Sequence, residues 1–256
     1  MIVCEKKIDR LVQKMHEYYS NKDSSTLATV DFPNEIEYKS NEWLIYIFYS
    51  CLLDYGMRSQ NYHNNLINTY HIYPQMFDPK YVIANFTTNK DELLSIMKNN
   101  IHPRYPNVAV DKWLNLSIEL SKYYNLLDKI KEFNNFNELN LFIRNINGYG
   151  QKTGGLLLRL IYESDVCSFN DKLGYIPLDR HDIEISYLNN IIDSRKLNNN
   201  QIEELSSLYI KSGEKLGIDA NLIDKYLWNI GNDFCNRKNC INCPLYDDCK
   251  TKSNEK

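Results

Sequence analysis

Glycine and proline are scarce in this chain, at 9 and 7 of 256 residues, and what few there are lie spread along it. With so few breakers, long stretches run uninterrupted, and within them apolar residues recur every three or four positions, as helices require. A mostly α chain follows, long enough for one or two compact lobes, and two are expected. No segment reaches 18 uninterrupted apolar residues, so no helix should span a membrane. The start, M-I-V-C-E-K-K-I-D-R, carries charges where a signal peptide would need an apolar run, so a soluble, cytoplasmic protein is expected. A strong excess of either charge is also missing. The formal charge of −3 and pI near 6.0 supply no global attraction for nucleic acid, so any such surface must be local. Internal repeats and heptads are absent. The abundance of Asn, Tyr, Ile and Lys fits base-composition drift and carries no chemistry.

The periodicity predicts helices over Lys7–Tyr19, Trp43–Leu53, Tyr62–Tyr70, Asp91–Lys98, Val108–Leu127, Phe136–Ile146, Gln151–Tyr162, Asp179–Ile192, Asn200–Leu216 and Asn221–Ile230. Trp43–Leu53 is the most apolar of these and should be buried. Residues 164–177 break the pattern and read as an ordered excursion able to hold short strands. Five parts result: an N-terminal helical segment (1–40) packing with the C-terminal lobe, a helical lobe (41–165), a C-terminal helical lobe (166–234), a cysteine loop (235–249) and a tail (250–256) expected to fray.

The most informative stretch is I-N-G-Y-G-Q-K-T-G, Ile146 to Gly154. Gly148 and Gly150 turn one helix into the next and set Lys152 at a helix start, making a helix-hairpin-helix. Amides at such a start point outward and can hold a phosphate oxygen, while the adjacent amine faces whatever that phosphate carries. This suits an enzyme acting on the sugar of a nucleic-acid backbone, although an ordinary glycine turn and a phosphate-contacting lysine fit the same spacing. Arg144, Arg159, Arg180, Arg237 and Lys238 join Lys152 as candidates for a local basic surface. Asp179, 27 residues beyond Lys152 in I-P-L-D-R-H-D, falls at a helix N-terminus, where a carboxylate either caps or does chemistry. His181 could touch a phosphate or pack.

Seven cysteines in a chain expected to be cytosolic argue for metal or free thiols rather than disulfides. Cys235, Cys240, Cys243 and Cys249 lie within 15 residues, spaced C-x4-C-x2-C-x5-C. Such uneven spacing suits a loop wound around a [4Fe–4S] cluster better than a zinc knuckle, which joins two C-x2-C pairs across a longer insert. Zinc remains the alternative. Cys4, Cys51 and Cys167 are scattered and read as buried small hydrophobes.

Hairpin, acidic segment and cysteine loop, in that order, resemble the helix-hairpin-helix DNA glycosylase superfamily from about Trp43 to the last cysteine. Endonuclease III-like members carry an L-P-G-V-G-x-K-T-A hairpin, a V-D-x-H segment and a four-cysteine loop. Here these read I-N-G-Y-G-Q-K-T-G, L-D-R-H and C-N-R-K-N-C-I-N-C-P-L-Y-D-D-C. Asn147 replaces the usual proline, and the first cysteine spacing is shorter. The I-P-L-D opening and G-I-D-A-N-L-I-D-K-Y-L-W-N-I-G are also similar to archaeal 8-oxoguanine glycosylases, which lack the loop.

The resemblance implies a two-lobed glycosylase fold with a C-terminal Cys4 cluster loop, and a monomeric glycosylase/AP lyase of base excision repair acting on double-stranded DNA with a damaged base. Lys152 falls on the Schiff-base lysine and Asp179 on the catalytic aspartate. Gly148 and Gly150 would hold the lesion strand's phosphate, in the family's manner through a monovalent cation, and Arg237 and Lys238 would reach the duplex backbone. The cluster would be structural. An amine attacking C1′ must be neutral, a form that partial burial of Lys152 or the positive end of its helix would favour. A Schiff base acidifies the C2′ proton, so strand cleavage would accompany base removal. Leu52 stands where endonuclease III-like proteins carry a wedge glutamine, and Tyr55, Met57, Arg58 or Gln60 could supply a wedge or pocket wall instead. Two other classes stay open: a DNA-structure-binding protein that lost its chemistry, and an iron–sulfur redox or regulatory protein.

Overall fold

A computed structural model describes residues 4–20, 30–55, 59–167, 169 and 176–251. Among them the regular structure is helical, with no strand. The α-helices are α1 (Glu5–Tyr19), α2 (Asn41–Leu52), α3 (Ser59–Ile72), α4 (Pro79–Phe86), α5 (Lys90–Ile96), α6 (Pro106–Leu120), α7 (Leu126–Lys131), α8 (Phe136–Asn145), α9 (Gln151–Glu163), α10 (Arg180–Leu188), α11 (Asn199–Leu216) and α12 (Ala220–Ile230). Two compact units result: Val30–Asp171, and Met1–Thr29 together with Lys172–Lys256. None of the described helices is long and apolar enough to cross a membrane.

The unit of residues 30–171 is built around α2. Ser40 caps it, its Oγ accepting from the Trp43 amide at 3.0 Å. The helix then buries nine residues, from Trp43 to Leu52. Each large apolar side chain so buried contributes about 1.5–3 kcal/mol. The polar exception, Ser50, donates its hydroxyl to the Tyr46 carbonyl at 3.0 Å, so its burial leaves no unsatisfied group. Tyr49 stacks on Trp113 of α6 at 4.4 Å between ring centroids, and its hydroxyl pairs with Ser117 at 2.7 Å. Helix α9 packs against both α2 and α8, which fixes the hairpin on the unit's core.

Three departures from the periodicity have local causes. The stretch Val108–Leu127 is not one helix: Asn125 accepts from the amides of Leu127 and Asp128 at 3.0 and 3.3 Å and starts α7 separately. Helix α4 was not expected from the apolar pattern, yet its start is written in Asp78–Pro79, a side-chain cap followed by proline at the first helical position. Helix α5 runs on as a π-helical turn over Met97–Ile101 and stops at His102, whose φ of 56° is left-handed. Half of the 164–177 excursion, residues 168 and 170–175, lies outside the described residues, as do residues 252–256 of the tail.

In the other unit, α1 packs against α11 and α12. Ile8, Leu11, Val12 and Met15 of α1 meet Leu205, Tyr209, Ile223 and Leu227 in one core. Gly217, with φ of 69°, ends α11 and lets the chain turn into α12. Helix α12 continues as a π-helical turn, Gly231–Cys235, which delivers the first cysteine of the loop.

Candidate active site

The hairpin sits between α8 and α9. Ile146 leaves α8 with extended backbone and buries its side chain. Gly148 then takes φ of +112°, which L side chains rarely adopt, and a Cβ there would lie 2.8 Å from Leu52 Cδ1 and 3.4 Å from Lys112 Cγ. Tyr149 is buried and donates its hydroxyl to the Phe48 carbonyl of α2, tying the turn to the core. Gly150 caps α9, its amide donating to Thr153 Oγ1 at 3.1 Å. A Cβ at Gly150 would meet nothing within 4 Å, so the bareness there leaves room for an approaching ligand rather than serving internal packing. Lys152 is exposed on the first turn of α9, in front of buried Thr153, Gly154 and Gly155. Gly148→Ala should therefore destabilise the protein by about 1–3 kcal/mol, read as a lower midpoint in thermal unfolding, whereas Gly150→Ala should unfold close to wild type.

Asp179 is the N-cap of α10. Its Oδ1 accepts from the amides of His181 at 2.6 Å and Asp182 at 3.3 Å, while its own amide donates to Asp182 Oδ2 at 2.6 Å. Asp179 is half-buried and Asp182 buried. Burial pushes the Asp182 carboxyl well above the usual range, and the neighbouring carboxylates Asp179 and Asp224 push it further. His181 is exposed; its Cβ would be 3.3 Å from a Cβ added at Gly231, so its stem packs on α12's extension. Asp182 was not singled out from the sequence. The available signal was the D-x-x-D spacing of a reciprocal cap, Asp179 with Asp182 three residues on.

The wedge candidates divide. Leu52, at the position of the family's wedge glutamine, is fully buried beneath Gly148 and supports the hairpin. Tyr55 is half-buried with Lys112 Nζ 4.3 Å from its ring centroid, beside the hairpin. Gln60 is exposed and donates to Asn64 at 3.4 Å. Met57 and Arg58 lie outside the described residues. Of the basic candidates, Arg180, Arg237 and Lys238 are exposed, but Arg159 is buried with its Nε 3.8 Å from Glu163, so it belongs to the core rather than a surface. Arg144 is half-buried, donating to Asn140 at 3.3 Å and lying against Gly154. Lys112, which flanks Gly148, had no motif to mark it.

Cys235, Cys240, Cys243 and Cys249 are each half-buried, as is Cys4, while Cys51 and Cys167 are buried. Burial, and then the other three thiols of the loop, push Cys235 up to about 12. Cys243 is pushed up to about 11 by burial and by Cys249 and Cys240. The repulsion that disfavours thiolate at Cys235 and Cys243 is what a cation among the sulfurs would relieve, so the chemistry of the donor set suits a thiolate-held metal group. Among the described residues no three His, Cys, Asp or Glu side chains are gathered for a single ion. Tetrahedral zinc would hold its sulfurs roughly 3.8 Å apart, from Zn–S bonds of about 2.3 Å. Arg237 reaches Asp233 at 3.9 Å, and Lys238 stands in the left-handed region with φ of 54°.

No family model matches the chain, and no curated protein does. Two solved structures do. The 8-oxoguanine glycosylase/lyase of Methanocaldococcus jannaschii, in complex with a 15mer DNA containing 8-oxoguanine, superposes with a TM-score of 0.56 at 20% identity, over 88% of this chain and 89% of that one. Tm1821, the 8-oxoguanine DNA glycosylase of Thermotoga maritima, gives 0.58 at 16% identity, over 89% and 97%. The chain has the helical fold of the helix-hairpin-helix DNA glycosylases.

Proposed function

We propose that the protein is a DNA N-glycosylase with AP-lyase activity that removes an oxidised base from duplex DNA, 8-oxoguanine ahead of oxidised pyrimidines. The observation that carries this reading is Lys152, exposed on the first turn of α9 behind a hairpin held at Gly148, in a fold shared with two 8-oxoguanine glycosylases. Helix starts present unsatisfied amides and a positive dipole end to phosphate, so Gly148 and Gly150 would hold the lesion strand there. The Lys152 amine would attack C1′ as the C1′–N bond to the base breaks. The base leaves with the proton the amine gives up, C1′–O4′ then breaks as C1′=N forms and O4′ takes a proton to become a hydroxyl, and removal of a C2′ proton expels the 3′ phosphate as C2′=C3′ forms. The Asp179 carboxylate would stabilise positive charge growing on the sugar. Cys235, Cys240, Cys243 and Cys249 would hold a structural [4Fe–4S] cluster, bringing Arg237 and Lys238 to the duplex backbone, which their exposure supports. The enzyme would act as an intracellular monomer.

The test is a panel of duplexes each carrying one lesion: 8-oxoguanine, thymine glycol, uracil, a mismatch or an abasic site. Excision should be fastest on 8-oxoguanine, and product ends should show β-elimination. Binding to all duplexes without excision from any would instead make it a DNA-structure-binding protein.

A further inference from the structure

We propose that Asp182 is a positioning residue for Asp179: a carboxylic acid that keeps its proton, donates it in a hydrogen bond to the Asp179 carboxylate, and so holds that side chain in one rotamer. The inference rests on the role given to Asp179 above. Asp182 is 4% exposed, and Oδ2 is engaged by the Asp179 amide at 2.6 Å. The two side chains cap each other reciprocally, the Asp182 amide donating in turn to Asp179 Oδ1 at 3.3 Å, so the two carboxyls share one cap. Two carboxyls in such contact share one proton, because a second negative charge there would be repelled at close range.

The surroundings decide which of the two holds it. Asp179 has two backbone amides on Oδ1, at the positive end of α10. Asp182 faces the core, with Asp224 of α12 as a second nearby acid, itself 5% exposed. Tyr209 of α11 is held neutral by burial, and its hydroxyl pairs with Ser186 at 2.8 Å. Among the described residues, the charged groups that act on the Asp182 carboxyl are the carboxylates Asp179 and Asp224, and none is a cation. The proton therefore stays on Asp182, whose second oxygen has a donor to offer and Asp179 as its acceptor. Beyond capping α10, the arrangement would hold the Asp179 carboxylate in one rotamer.

The sign of the pH dependence follows from linkage. A carboxyl whose folded affinity for protons exceeds its unfolded one gives stability that is full below its ordinary value of 3.8 and is lost as pH rises toward its folded value. Asp182→Asn mimics the protonated acid, with an oxygen for the Asp179 amide and an N–H for its carboxylate. Thermal unfolding of the intact protein should give nearly equal midpoints for wild type and Asp182→Asn near pH 4, and an advantage for Asp182→Asn of at least roughly 2–4 °C near pH 7.5. A difference that stays constant between those pH values overturns the proton assignment.

Single-turnover excision of 8-oxoguanine tests positioning. Asp182→Ala should lose roughly 10–100-fold, as for a lost hydrogen bond to a charged group, and Asp182→Asn should restore most of it. Should Asp182→Ala not fold, Asp182→Ser, too short to make both bonds, takes its place. Equal rates in wild type and the shortened variant, or equal losses in both variants, overturn the positioning role. If wild type excises nothing, the function proposed above fails, while the unfolding comparison still reports where the proton lies.

Discussion

Lys152→Ala is expected to abolish borohydride-trapped adducts on duplexes carrying 8-oxoguanine or an abasic site, and to slow base excision at least about 1,000-fold, or about 4 kcal/mol of barrier. The size follows from the chemistry. An amine nucleophile turns one difficult displacement into two easier steps, and with it gone neither the covalent intermediate nor β-elimination has a route. Folding should be spared. Lys152 is exposed at the second position of α9, where alanine is an excellent helix former, so the change in stability should stay within about 0.5 kcal/mol. Duplex affinity should fall only slightly, since the hairpin amides remain. Excision assays, trapping gels and thermal unfolding on one preparation would separate loss of chemistry from loss of fold.

Asp179 carries the second large effect, and two substitutions divide its roles. As N-cap it satisfies amides of His181 and Asp182, a service asparagine performs about as well as aspartate. In the role proposed for it, stabilising positive charge growing on the sugar, a carboxylate has no neutral substitute. Asp179→Asn should therefore unfold close to wild type yet excise about 100–1,000-fold more slowly, the scale of losing one preorganised electrostatic partner. Asp179→Ala should lose as much activity and also about 1 kcal/mol of stability with the cap. If Asp179→Asn keeps full activity, Asp179 is a cap and nothing more.

Much of this arrangement could be read from the residues. The helical class followed from apolar spacing, and Gly148 announced a turn that glycine alone fits. Asp179 could be placed at a helix start because caps are local, written within three or four residues. What could not be read was non-local. Leu52 lies under Gly148, nearly a hundred positions further along, and no local pattern says that the helix carrying it supports the hairpin. Arg159 looked like its basic neighbours until the packing of α9 on α2 and α8 buried it. The Asp182 environment depends on α11 and α12, so its burial appears only when those helices fold back. The π-helical turns at Met97–Ile101 and Gly231–Cys235 add a residue to the helical repeat and escape a search at 3.6. The cysteine spacing marked one site, yet spacing alone says little about how the four sulfurs are disposed.

The central claim is that the Lys152 amine is the nucleophile. Its most direct test is to reduce the reaction on an 8-oxoguanine duplex with borohydride, digest both DNA and protein, and map the modified peptide by mass spectrometry. The account predicts a sugar remnant on Lys152 alone. A remnant on another amine, or none under conditions where the base is released, would contradict it.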